Sequence, residues 1–235
     1  MAAGSSRLYT LAESPSVTVP PMPAASLQLP PAMTTPKLGV LISGGGTTLL
    51  NLQDEIEAGR LDAEIVAVTS SRPDALGLAR AQARGLPAVS PETKPAELGL
   101  SEFVFGVLRD AGVELVCLAG FLSLLHIPED HRGRVLNIHP ALLPSFGGLG
   151  MYGNRVHRAV VESGVRVTGC TVHLADEAYD TGPILVQRAC PVRVGDTAED
   201  VKKRVWEEEK TAFPEAIRLV AEGKHRLDGR RLVRA

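Results

Sequence analysis

Aromatic residues are scarce in this chain, 4% of 235 residues, so its 44% hydrophobic content must come from Val, Leu, Ala and Ile. That composition suits a core of stacked α/β layers. Charge of one sign is missing too: the formal net charge is −2, and the longest basic cluster is Lys202-Lys203-Arg204. A nucleic-acid surface is therefore not expected. No apolar run reaches the length of a membrane span, which sets aside a transmembrane helix. The three cysteines, Cys117, Cys170 and Cys190, lack CxxC spacing and read as buried, reduced thiols of a cytoplasmic protein. HExxH and paired Cys/His spacings are also missing, so no metal site is expected.

Residues 1–36 differ in kind from the rest. They hold seven prolines, and Arg7 and Glu13 are the sole charges before Lys37. The segment has neither the apolar core of a signal peptide nor the arginines of a transit peptide, and reads as a disordered extension. Met33 is a candidate initiator. From Lys37 onward, strand-like and helix-like segments alternate. Leu38–Ile42, Ile65–Val68, Val113–Ala119 and Arg134–His139 read as strands, and Thr48–Glu57, Ala75–Arg84 and Ser101–Ala111 as helices. This alternation predicts one α/β domain with a Rossmann-like, doubly wound, mostly parallel sheet. Two further strands are expected at Gly169–Leu174 and Ile184–Arg188. A last helix opens at the capping box Thr197-Ala198-Glu199-Asp200, and Pro214 should kink or split it before Glu222.

The stretch richest in chemistry is Asn137-Ile138-His139-Pro140. Side chains alternate along a strand, so Asn137 and His139 share a face, and proline ends the ladder just beyond them. Two polar side chains at the carboxyl end of a buried strand are costly as filler, and ligands of open α/β sheets bind at such ends. Thr171 and His173 form a second same-face pair on a later strand. Asp180 is set by the Thr181-Gly182-Pro183 turn that follows it. Upstream, Ser43-Gly44-Gly45-Gly46-Thr47-Thr48 joins a strand to a helix. The loop lacks both the Lys of a P-loop and the G-x-G-x-x-G spacing, so its simplest guest is a phosphate monoester at the helix start. Asn, His and Asp without a neighbouring nucleophile suggest acyl transfer assisted by acid-base chemistry, with no covalent intermediate.

These motifs, together with Ala75-Leu76-Gly77-Leu78-Ala79-Arg80-Ala81, Leu118-Ala119-Gly120-Phe121, Leu142-Leu143-Pro144 and Ile184-Leu185 with Gln187, resemble the folate-dependent formyltransferases over about residues 37–235. The resemblance is to the branch that formylates phosphoribosylglycinamide in purine biosynthesis. It implies a formyltransferase fold with a phosphate-binding half at about 37–135 and a catalytic, folate-binding half at about 135–235. The implied co-substrate is 10-formyltetrahydrofolate and the implied acceptor is 5-phosphoribosylglycinamide. Asn137 would then hold the developing oxyanion, His139 polarise the formyl group and assist proton transfer, and Asp180 orient the site and relay a proton. Gly46, Thr47 and Thr48 would bind the phosphate and Glu209 the ribose. Leu122, Leu125 and Val135 would line the pterin pocket, with the backbone of 175–180 completing it. Thr171 and His173 would support the site.

The chain also departs from that pattern. Thr48 stands for the usual Asn, Ser123 for a common Arg, and Trp206 for a frequent Gln, while 147–153 lengthens the loop after Pro144. A formyltetrahydrofolate deformylase shares the same three catalytic residues but usually carries an N-terminal regulatory domain. Methionyl-tRNA formyltransferases add a C-terminal barrel and a basic surface. A sugar-nucleotide formyltransferase would not need this glycine-rich loop. A non-catalytic phosphometabolite-binding domain is the reading from outside enzymology. The sequence is compatible with a homodimer without selecting one.

Overall fold

The computed structural model describes residues 27–93 and 97–235. A single α/β domain is built on a seven-stranded sheet of order β3-β2-β1-β4-β5-β6-β7. Its strands are β1 (Lys37–Ile42), β2 (Glu64–Ser70), β3 (Ala88–Val89), β4 (Leu115–Leu118), β5 (Val135–His139), β6 (Val167–Leu174) and β7 (Ile184–Pro191). Strands β1 to β5 pair in parallel, whereas β6 runs against both β5 and β7. The parallel strands are nearly continuous apolar runs because helices cover both faces. Five of the six residues of β1 are buried, and all four of β4. The helices are α1 (Thr47–Glu57), α2 (Leu76–Ala83), α3 (Glu97–Asp110), α4 (Asn154–Glu162) and α5 (Ala198–Ala221).

The expected elements are present, with β3, α4 and a C-terminal hairpin, β8 (His225–Asp228) and β9 (Arg231–Arg234), in addition. Strand β3 is too short to carry a period. The hairpin has a two-residue loop, Gly229-Arg230, and Arg230 donates to the carbonyls of Thr181 and Gly182 behind Asp180. Helix α5 begins as expected: Thr197 Oγ1 accepts from Asp200 N–H and Asp200 Oδ2 accepts from Thr197 N–H. It is not split at Pro214, which lies buried inside the continuous helix. Proline cannot donate to the carbonyl four residues back. That carbonyl, on Lys210, accepts instead from the side-chain amide of Asn51 on α1 at 3.1 Å. The expected break is thus replaced by a tie between two helices.

Residues 1–26, most of the stretch expected to be disordered, lie outside the described residues. Residues 27–36 form no helix or early strand, yet Leu27, Leu29 and Met33 pack against the main core and Met33 N–H bonds Ala221 O at 2.8 Å. All three cysteines are buried and free. No helix among the described residues is long and apolar enough to cross a membrane.

Candidate active site

The strand order reverses direction between β1 and β4, so the loops leaving their carboxyl ends diverge and open a crevice. Ser43 stitches the mouth: its hydroxyl accepts from Leu122 N–H at 3.0 Å, and its own N–H bonds Gly120 O. A cleft of about 730 Å³ fills this crevice, with Thr47 and Thr48 at one end, Asn137 and His139 on the floor, and Glu209 on the α5 wall. Gly46 precedes α1 in the left-handed region (φ 71°), and a Cβ there would fall 2.9 Å from Gly77 Cα. Glycine is therefore required for α1 to start where it does. Gly46 itself is buried behind the wall; Thr47 and Thr48 are the residues that face the cleft. No side chain caps α1 and no acid lies in its first turn, so its leading N–H groups stay available to an anion.

The pairing of β5 with β6 explains the floor. Asn137 lies opposite His173 and His139 opposite Thr171, so the four side chains share one face. Asn137 Nδ2 lies 3.0 Å from His173 Nε2 and donates to Asp180 Oδ1 at 3.3 Å. Asp180 Oδ2 lies 3.3 Å from His139 Nδ1 and accepts the Gly148 N–H at 2.9 Å. The sequence-predicted Asn137, His139, Asp180 and His173 are thus gathered around one carboxylate. Thr171 serves as a strut. Its hydroxyl donates to Ala141 O at 2.7 Å and accepts from Leu143 N–H and from Gln187 Nε2, holding the chain after Pro140.

Backbone carbonyls assign the imidazole protons, because a carbonyl only accepts. Phe146 O lies 2.8 Å from His139 Nε2, which therefore carries hydrogen and leaves Nδ1 facing Asp180. Leu174 O lies 2.9 Å from His173 Nδ1, so His173 Nε2 accepts from Asn137. Burial lowers the His139 pKa below its ordinary value, with Asp180 and the Phe146 carbonyl opposing. Burial pushes Asp180 up, but the His173 and His139 imidazoles, to the extent that each carries a proton toward the carboxylate, and the Gly148 N–H outweigh it and leave the group lowered. A neutral His139 weakens the charge contribution; the Gly148 donor persists whatever the imidazoles carry. We therefore take Asp180 as ionised and His139 as neutral near pH 7, with the next proton going to His139 Nδ1. Both amide hydrogens of Asn137 are engaged here, and the longer bond, to Asp180, is the one a ligand oxygen can replace.

Other expected residues separate into walls and supports. Leu122 lines the main cleft, and Leu125 lines a smaller adjoining pocket with Phe121, Ser123 and the 175–180 loop. Val135 lines neither; it is buried in the core cluster with Leu118, Phe121 and Leu125, behind that pocket. Glu209 has no ion-pair partner among the described residues, and burial pushes its carboxyl up to about 7. Its side chain still opens partly on the cleft, so that push is discounted for the water admitted there. Trp206 lines the same wall. Two contributions escaped sequence reasoning. Phe146 and the first residues of the 147–153 insertion, the latter expected to act at the substrate rim, supply backbone partners, Phe146 O to His139 and Gly148 N–H to Asp180. His157 on α4 lines the cleft, and the signal for its helix was the spacing of Val156 and Val160 between Gly153 and Gly164.

Known proteins share this architecture. The sequence model of the formyl transferase family matches residues 36–217. The chloroplastic phosphoribosylglycinamide formyltransferase of Arabidopsis thaliana is 42% identical over 201 residues, covering 82% of this chain and 68% of the plant protein. The trifunctional purine biosynthetic protein adenosine-3 of Gallus gallus is 44% identical over 191 residues, 80% of this chain but 18% of that much longer protein. The crystal structure of glycinamide ribonucleotide transformylase 1 from Symbiobacterium toebii superposes with a TM-score of 0.79 at 41% identity, covering 86% of this chain and 94% of that one. The chain belongs to the formyl transferase family.

Proposed function

We propose that this protein transfers the formyl group of 10-formyltetrahydrofolate to the primary amine of 5-phosphoribosylglycinamide, a step of purine biosynthesis. The carrying observation is that Asn137, His139 and Asp180 meet on the floor of a cleft whose far end is the uncapped start of α1. The substrate phosphate would take the N–H groups of Thr47 and Thr48, and Glu209 the ribose hydroxyls. The pterin would enter the pocket beside Leu122 and Leu125, bordered by the 175–180 loop. The relatives' names support the acceptor, phosphoribosylglycinamide in one and glycinamide ribonucleotide in the other. The three buried, free thiols favour a reducing, cytoplasmic setting, although the plant relative is named chloroplastic.

In the reaction the amine nitrogen bonds the formyl carbon, the bond from that carbon to N10 of the folate breaks, and a proton passes from the amine to N10. Asn137 would turn its exchangeable amide hydrogen to the oxygen that becomes negative, a donation worth about 3–4 kcal/mol in a dry site. Asp180, ionised beside a His139 Nδ1 free to take a proton, would carry the proton between the two nitrogens. No covalent adduct with the protein is needed.

Mixing the protein with both substrates and following folate deformylation tests this. Turnover that requires the amine supports the transferase. Equal turnover without it points to a deformylase, and binding without turnover to an inert phosphometabolite module.

A further inference from the structure

His157 is the one cleft-lining histidine that the reaction above leaves idle. It sits on α4 with 4% of its surface exposed, on the wall shared with Lys202 and Glu199. Its Nδ1 is buried with no hydrogen-bond partner among the described residues; its Nε2 is not shut in and makes no hydrogen bond to them either, so Nε2 is the edge that a ligand can reach. Buried polar groups are almost always paired, so an imidazole idle at a ligand cleft calls for a partner that arrives with the ligand. The proton belongs on the edge that can reach such a partner. Burial, and then the charge of Lys202, lowers the His157 pKa to about 4, so at neutral pH the ring is an uncharged donor. His157 and His139 line the same cleft.

We propose that His157 is a substrate-positioning residue whose Nε2–H donates to the uncharged carboxamide oxygen of the amine substrate. The inference rests on the formyl-transfer reading, because that reading supplies an amine carrying a carbonyl on the adjacent carbon. A neutral donor suits such an oxygen; the phosphate is already served by α1, and the developing oxyanion by Asn137. Holding the carbonyl aims the amine at the formyl carbon. It also draws electron density from the amine and lowers its basicity, which increases the unprotonated fraction available for attack.

Steady-state kinetics of His157→Leu and His157→Gln, with melting temperatures, test the proposal. Leu fills the volume without a donor and removes an unpartnered nitrogen, so its melting temperature should hold or rise. Its KM for phosphoribosylglycinamide should rise by about tenfold, the worth of one neutral hydrogen bond at the upper end, with the KM for 10-formyltetrahydrofolate unchanged. Gln restores an N–H near the position of Nε2 and should return the amine KM to within about threefold of wild type, a rescue a purely structural role would not give. An unchanged amine KM in the Leu variant, equal impairment of Leu and Gln, or losses that track melting temperature would overturn it. Wild-type protein that does not formylate the amine at all takes down both this inference and the reading beneath it; active wild type with an indifferent Leu variant takes down this one alone.

Discussion

Replacing Asp180 by asparagine separates charge from shape at the centre of the site. The two carboxylate oxygens accept different donors, Gly148 N–H at 2.9 Å and the Asn137 amide at 3.3 Å. An asparagine offers one acceptor, so one of those donors must face an NH2 group, at a cost of about 1–3 kcal/mol. Removing a buried negative charge returns part of that, since burial alone disfavours the ionised form. The net loss should be about 1–2 kcal/mol, or roughly 2–8 °C in melting temperature for a chain of this size. The effect on chemistry should be larger. A charged participant in proton transfer contributes 10²–10⁴-fold, so kcat should fall about a thousandfold, near 4 kcal/mol of barrier. His139 also loses the neighbour that raises its pKa, so the acid limb of the residual rate should move to lower pH. The assay is steady-state formylation across pH beside thermal unfolding. A kcat within tenfold of wild type, or a residual profile with an unmoved acid limb, would refute the reasoning.

Asn51→Ala should cost about 1–2 kcal/mol by leaving the Lys210 carbonyl without a donor. Because Pro214→Ala returns a backbone N–H to that carbonyl, a double-mutant cycle in urea should show the two substitutions coupled, and strict additivity would contradict the tie between α1 and α5. Gly182→Ala should lower stability by about 1–3 kcal/mol and activity with it, since a Cβ there would lie 1.7 Å from Leu174 O and must displace the turn holding Asp180; unfolding curves and kcat check both. Glu209 has a folded pKa raised from 4.5 to about 7, so its contribution to stability is lost as pH rises through that interval. Glu209→Gln should therefore raise the free energy of unfolding more at pH 8 than at pH 5, by about 1–3 kcal/mol once solvent in the cleft is allowed for, while raising the KM for the amine substrate. Equal shifts at both pH values would contradict the assignment.

Much of the fold was legible because strands such as β1 and β4 are short apolar runs with glycine soon after them, and because Thr197 and Asp200 declare the start of α5. Local readings failed where a distant partner changes the local rule. Nothing around Pro214 reveals that Asn51, far back in the chain, will satisfy the orphaned carbonyl. Likewise, Asn137 and His139 announced themselves by alternation, but the backbone of Phe146 and Gly148 carries no side-chain signature of its role. Val135 was assigned to a pocket wall by resemblance, whereas a strand buried on both faces places it one layer behind. Helix α4 went unseen because glycines crowd its entrance and its apolar stripe is only two turns long.

The reversal of β6 has a consequence for how this molecule can diverge. Running against its neighbours, that strand sets Thr171 and His173 within a ladder of main-chain bonds, so the reactive groups are carried largely by rigid framework. The glycine-rich segment beyond Pro144 touches that framework mainly through its own backbone. Side chains along 149–153 are thus at liberty to change which guests are admitted, while the chemistry performed on them stays the same.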